Sequence, residues 1–76
     1  MYVIAEKVLN YLRKNGMTIE QFAQELDISV TEARRMLSGA RARYTTASKF
    51  IHYFQAEVAQ HLIDWERLGI KNPLEK

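Results

Sequence analysis

The sequence predicts an all-α fold, a compact bundle of about five helices in a single domain over residues 1–76. Three observations predict it. Apolar residues recur at helical spacing along most of the chain, as in Ile4, Val8 and Leu12 or Phe22, Ala23 and Leu26. Proline occurs once, at position 73, and the three glycines at 16, 39 and 69 each follow an apolar-periodic run, where a helix stops easily. Hydrophobic residues fill 47% of the positions, enough for one small core and too few, at this length, for a second domain.

The first helix is expected from about Tyr2 to Lys14, with Ile4, Val8 and Leu12 on one stripe, Leu9 and Tyr11 beside it, and Asn15-Gly16 as its stop. The second starts at Thr18, which forms a capping-box pattern with Gln21, and gathers Ile19, Phe22, Ala23 and Leu26 on one face. A second capping-box pattern, Ser29 with Glu32, opens the third helix, so only Asp27-Ile28 separates the two helical units. Asp27 tolerates the left-handed or bridge conformation such a turn needs, and Ile28 anchors the corner against the core.

In the third helix Ala33, Met36 and Leu37 are expected to face inward, and Val30, Thr31, Arg34, Arg35 and Ser38 to lie on or near the outward side. After Gly39 the loop Ala40–Tyr44 leads to a fourth helix, capped by Thr45 or Thr46, that buries Phe50, Ile51 and Phe54. A fifth helix is expected over 57–68, with Val58, Leu62 and Trp65 along one face, Ala59, Ile63 and Leu68 beside them, and Gly69 at its end. Gln55-Ala56 contains neither Gly nor Pro, so helices four and five either bend there or run on as one. The tail 70–76 contains Pro73 and is expected to fray.

Two short helices meeting across so tight a turn form a helix-turn-helix arrangement over 18–39, whose commonest use is to lay the second helix in the DNA major groove. The net charge of +2 says little by itself, but its placement is informative. Asp and Glu are absent from Ala33 through Ala56, while Arg34, Arg35, Arg41, Arg43 and Lys49 all fall there. Such a stretch on its own is often a solvated basic face; overlapping a helix-turn-helix, it points to the phosphate backbone of DNA. Arg34 is the candidate for a base edge, because a guanidinium matches guanine O6 and N7. Thr31 and Val30 suit a thymine methyl or the backbone, Arg35 a base or a phosphate, and Arg41, Arg43 and Lys49 phosphates. Ser29 and Thr18 present helix N-termini, with their free amides, to the backbone, and Ser38 completes the outward side.

These residues resemble the lambda-repressor-like, or Cro-type, helix-turn-helix family of small phage and bacterial regulators, over roughly residues 1–55. The resemblance rests on a capped first motif helix with a small residue inside it, Thr18 and Ala23, and on a second that follows Ser29 and ends at Gly39. The chain departs from the family pattern at Asp27, where Gly is usual, at Ala33, where a β-branched residue is usual, and at Ile19, where a DNA-touching Gln is usual. The resemblance implies a sequence-specific transcriptional regulator of repressor type, acting on double-stranded operator DNA in the cytoplasm without a cofactor. It also implies a homodimer formed by the C-terminal element, for which Val58, Leu62 and Trp65 are the interface candidates. The alternative is a small phage modulator or antirepressor of the same fold, binding a partner repressor through Glu32, Arg34 and Arg35. Glu32 in the recognition helix, the lack there of a Gln or Asn to read adenine, and the missing Gln at Ile19 keep it open.

Other classes find little support. The chain has no Cys, which removes disulfides and thiolate metal sites and suits a reducing compartment. His52 and His61 are too far apart in sequence to share a ligand face on one straight helix, and no metal site is expected. Ser29, Ser38 and Ser48 sit at caps or on helices without a Gly-rich elbow, and catalytic residues are not expected either. The start carries no signal-peptide pattern and no apolar run approaches membrane-spanning length, so a soluble, non-secreted protein is expected.

Overall fold

The computed structural model describes residues 1–70 and is an all-α bundle, with α1 at Ala5–Lys14, α2 at Ile19–Leu26, α3 at Val30–Leu37, α4 at Tyr44–Phe54 and α5 at Ala56–Leu62, followed by a short 3-10 turn at Glu66–Leu68. The beginnings of α2 and α3 follow from their caps. At α2 the capping box closes in both directions: Gln21 N–H donates to Thr18 Oγ1 at 3.1 Å, and Thr18 N–H donates to Gln21 Oε1 at 2.9 Å. At α3 only half of it forms. Ser29 Oγ accepts from Glu32 N–H at 3.1 Å, but the Glu32 carboxylate turns away from the cap toward α4.

Between α2 and α3 the chain reverses at Asp27, whose φ of 59° and ψ of 47° put it in the left-handed region. Ile28 N–H returns to Ala23 C=O at 3.0 Å and Asp27 N–H to Gln24 C=O at 3.1 Å, so the carbonyls freed at the end of α2 are taken up within the turn. Phe22, Ala23 and Leu26 of α2 and Ala33 and Met36 of α3 are buried, and Ile19, Ile28 and Leu37 pack half-buried at the edge.

The ends of the chain depart from the sequence expectation. The first helix begins at Ala5, not Tyr2, because residues 1–4 are extended and tied to two other segments. Met1 C=O accepts from Ala42 N–H at 2.7 Å, Tyr2 C=O from Asp64 N–H at 2.8 Å, and Ile4 N–H donates to Leu62 C=O at 2.7 Å. Val3 and Ile63 face each other in an antiparallel bridge, both buried. That bridge also ends α5 at Leu62, six residues before the expected end at 68, because Ile63 adopts an extended conformation to pair with the N-terminal segment. β-branched residues on both sides make the extended alternative cheap. Trp65 therefore does not lie on α5; it starts the 3-10 turn and donates its indole N–H to Gln60 C=O at 2.9 Å.

Helices four and five are separate. Gln55 sits between them at φ 68° and ψ 151°, a region that glycine favours, and its amide donates to His52 C=O at 2.8 Å. α4 starts at Tyr44 with Arg43 at its cap, not at Thr45 or Thr46; Thr46 is buried and its hydroxyl points to Glu32. Ile51, expected in the core, lies on the outer side of α4. The expected frayed tail lies, from residue 71 on, outside the described residues.

The core sits where α1, α2 and α4 meet. Phe54 is its hub, with ring centroids 4.9 Å from Tyr11, 4.8 Å from Phe50, 5.0 Å from Tyr53 and 6.0 Å from Phe22. Tilted and edge-on pairs of this kind contribute about 0.5–1.5 kcal/mol each beyond their burial. Phe22 is fully buried, so Phe22→Ala should lower the unfolding free energy by about 3–5 kcal/mol in a denaturant titration. The Tyr11 and Tyr53 hydroxyls share a hydrogen bond of 2.8 Å, which together with desolvation pushes the Tyr53 phenol up to about 12. A raised phenol means that the pair's contribution is complete below the ordinary tyrosine range and is lost as pH rises through about 12. An absorbance titration should show one late-titrating tyrosine that disappears in Tyr53→Phe.

Candidate nucleic-acid interface

The outward side of α3 is where the sequence places it. Thr31, Arg34, Arg35 and Ser38 are exposed, Ser29 is exposed at the cap, and Val30 is half-buried at the edge. Arg41 and Arg43 are exposed on the loop that follows, and Lys49 is exposed on α4. Ser38 Oγ donates to Arg35 C=O at 2.7 Å and so is taken up in closing the end of α3.

The acid-free stretch of sequence is not acid-free in space. Glu20 of α2 pairs with Arg34 at 2.7 Å across the exposed side of the α2–α3 pair. The Glu20 carboxyl is held below the usual carboxylate range first by a backbone hydrogen bond and then by the Arg34 guanidinium. Glu32 Oε1 lies 3.7 Å from Arg35 and 3.6 Å from Arg43, while Glu32 Oε2 accepts from the Thr46 hydroxyl at 3.1 Å. Lys49 Nζ donates to Asp27 C=O at 2.7 Å and lies 3.6 Å from the Asp27 carboxylate, so this lysine fastens α4 to the turn between α2 and α3. Arg41 is the exception: among the described residues it has no carboxylate within 4 Å.

Sequence reasoning missed this arrangement because Glu20 and Arg34 belong to different helices, as do Glu32 and Thr46. The one available signal was Glu32 itself, an acid in an otherwise basic helix, assigned to a capping box that only half forms. Arg67 was also missed. From the 3-10 turn it donates to Gly39 C=O at 2.8 Å and stacks over the Tyr2 ring, 4.0 Å from its centroid, tying the end of α3 to both chain-terminal segments.

The expected dimer face does not exist as drawn. Leu62 is buried in the core, Val58 is 49% exposed on α5, and Trp65 is half-buried beyond the end of that helix. The three cannot form one stripe because α5 ends at Leu62. His52 and His61 are both exposed, and among the described residues no group of three His, Asp or Glu side chains is arranged to hold a metal ion. No described helix is long and apolar enough to cross a membrane.

The Thr46 hydroxyl is the one buried polar side chain among the described residues, and Glu32 accepts from it. Thr46→Val should therefore cost roughly 1 kcal/mol in a urea unfolding titration, the net worth of a hydrogen bond, without loss of helix content by circular dichroism. Ser29→Ala should cost about 1 kcal/mol through the lost α3 cap. Compared with known proteins, the chain matches no family model, and neither a curated protein nor a solved structure matches it.

Proposed function

We propose that the chain is a sequence-specific DNA-binding regulator that lays α3 in the major groove, with α2 crossing the backbone behind it. The observation that carries this reading is the α2–α3 pair: two capped helices joined through a left-handed Asp27, with Thr31, Arg34, Arg35 and Ser38 on the free side of the second. The likeness to lambda-repressor-like regulators supports the same reading. Arg34, with Thr31 and Val30, reads bases; Arg35 and Arg43, held near one another by Glu32, meet phosphates. A cytoplasmic location goes with this role.

The ion pairs set the terms of binding. Arg34 and Glu20 are 62% and 57% exposed in their side chains, so water already competes for the pair and DNA can displace it at small cost. Glu20→Gln should then raise affinity for DNA of every sequence, because it removes a negative charge beside the groove-facing helix. Arg43→Ala should weaken binding to all sequences and reduce the slope of affinity against salt by about one. Arg34→Ala should cost about 1–3 kcal/mol on the preferred site and relax the preference at one base pair. Selection from a random duplex pool followed by anisotropy titration measures all three, and equal affinity for selected and random duplexes would remove the regulator reading.

A second reading is favoured by the same carboxylates. Arg34, Arg35, Arg43 and Lys49 all face an acid of this chain, leaving the surface a mosaic of both signs rather than a basic field. A mosaic suits a protein partner, and a small phage modulator or antirepressor would use Glu32, Arg34 and Arg35 to dock on a partner repressor. Glu32→Gln separates the two readings: it should strengthen DNA binding by a regulator, and abolish the partner complex of an antirepressor while leaving DNA binding unchanged.

A further inference from the structure

Arg41 and Arg43 stand on a loop that the chain fastens from behind. After α3 the backbone turns at Gly39, with φ at 99° in a region that favours glycine, and residues 40–43 run without helix to the start of α4. Two points of this loop are fixed. Gly39 C=O accepts from Arg67 Nη1 at 2.8 Å, and buried Ala42 donates its N–H to Met1 C=O at 2.7 Å. Arg41 lies between the two points with its side chain exposed. Both fixings come from one unit, because residues 1–4 and 63–67 hold each other. Val3 faces Ile63 in the antiparallel bridge, Asp64 N–H donates to Tyr2 C=O at 2.8 Å, and the Arg67 guanidinium lies over the Tyr2 ring, 4.0 Å from its centroid.

We propose, on the DNA-binding reading above, that Arg67 is a positioning residue for the DNA face. Steadied by Tyr2, it holds the loop 39–43 through Gly39 and presents Arg41 to a phosphate with its backbone already ordered. Arg67 does not make that contact itself. Its guanidinium is engaged on two sides, by the Gly39 carbonyl at its edge and by the Tyr2 ring against its face, the use of a planar cation for which Arg is suited and Lys is not. A loop free to move would lose that freedom on binding, at a cost in affinity. Fixed at Gly39 and Ala42, it leaves only the Arg41 side chain to settle.

Arg67→Lys separates positioning from contact, because it keeps the charge and loses the planar group. Two measurements on the full chain read it. Backbone amide relaxation of the free protein by NMR should show residues 39–42 as ordered as α3, and in Arg67→Lys their order parameters should fall from about 0.85 to below about 0.6 while α3 and α4 stay unchanged. Anisotropy titration of a labelled random-sequence duplex should show Arg67→Lys binding about three- to tenfold more weakly, as the share of molecules with the loop in its binding form falls, and the slope of affinity against salt should not change. Arg67→Gln should weaken binding about as much, again without a change of slope. Tyr2→Leu should reproduce the effects of Arg67→Lys, and Tyr2→Phe, which keeps the ring face, should show neither. A loop as ordered in Arg67→Lys as in the parent would overturn the inference and leave the regulator reading standing, as would a Tyr2→Leu variant that behaves like the parent. Binding that survives in Arg67→Lys but falls in Arg67→Gln, with the loss of about one unit of salt slope, would make Arg67 a phosphate contact and overturn it too. A chain that binds no duplex at all would overturn the regulator reading, and the role of Arg67 with it, whatever the loop does.

Discussion

The rest of the structure depends on one backbone reversal, the left-handed residue at Asp27. Without it α2 would continue or α3 would leave in another direction, and Phe22, Ala33 and Met36 would not share a core. A non-glycine residue in that region costs about 1–2 kcal/mol, less for Asp than for most. The turn offsets this locally, through Ile28 N–H on Ala23 C=O, and at long range, through Lys49 on Asp27 C=O. The second contact ties the reversal to α4. Because α4 also supplies Phe50 and Phe54 to the core, the angle between α2 and α3 is set by the same packing that makes the domain stable.

Glu32 makes a second link of this kind. Its carboxylate joins α3 to Thr46 of α4 and lies between Arg35 and Arg43, so α3 is held by the Asp27 turn before it, by Glu32 at its first turn and by the Arg67–Gly39 contact just past its end. Polar contacts suit this place. Glu32 is 21% exposed, but the guanidiniums facing it are 49% and 71% exposed, so these pairs stay in contact with water and escape most of the desolvation penalty that a fully buried pair incurs.

Much of the fold was legible because it is local. Thr18 with Gln21, the spacing of Phe22, Ala23 and Leu26, and the stop at Gly39 each act within one or two turns of helix, and the sequence carries them openly. What could not be read depends on partners far along the chain. Val3 falls inside the expected first helix and Ile63 beside the stripe of the expected fifth, yet they pair as extended backbone because each finds the other across sixty positions. Ile51 and Phe54 both fit an inward stripe on α4, and only the placement of α1 and α2 decides that Phe54 goes in and Ile51 stays out. The candidate site divides the same way. The exposed side of α3 followed from periodicity, whereas the carboxylates facing its arginines came from α2 and from a failed half of a capping box.

Those carboxylates would set the affinity of a DNA reader built on this face. An arginine already held by a carboxylate has two competing states, folded back or reaching out, and DNA selects the second only where the new contact outweighs the pair it breaks. For Arg34 the old contact is a short, exposed ion pair at 2.7 Å, worth about 0.2–1 kcal/mol in water. A bidentate contact to guanine is worth about 1–3 kcal/mol of discrimination, and a contact to a screened phosphate often less. The pair with Glu20 therefore subtracts the same amount from every encounter in which Arg34 reaches out, an amount that a guanine contact outweighs. In a DNA reader such a fixed cost lowers specific and non-specific affinity by the same factor, so the internal acids weaken binding as a whole and leave discrimination to the base contacts themselves.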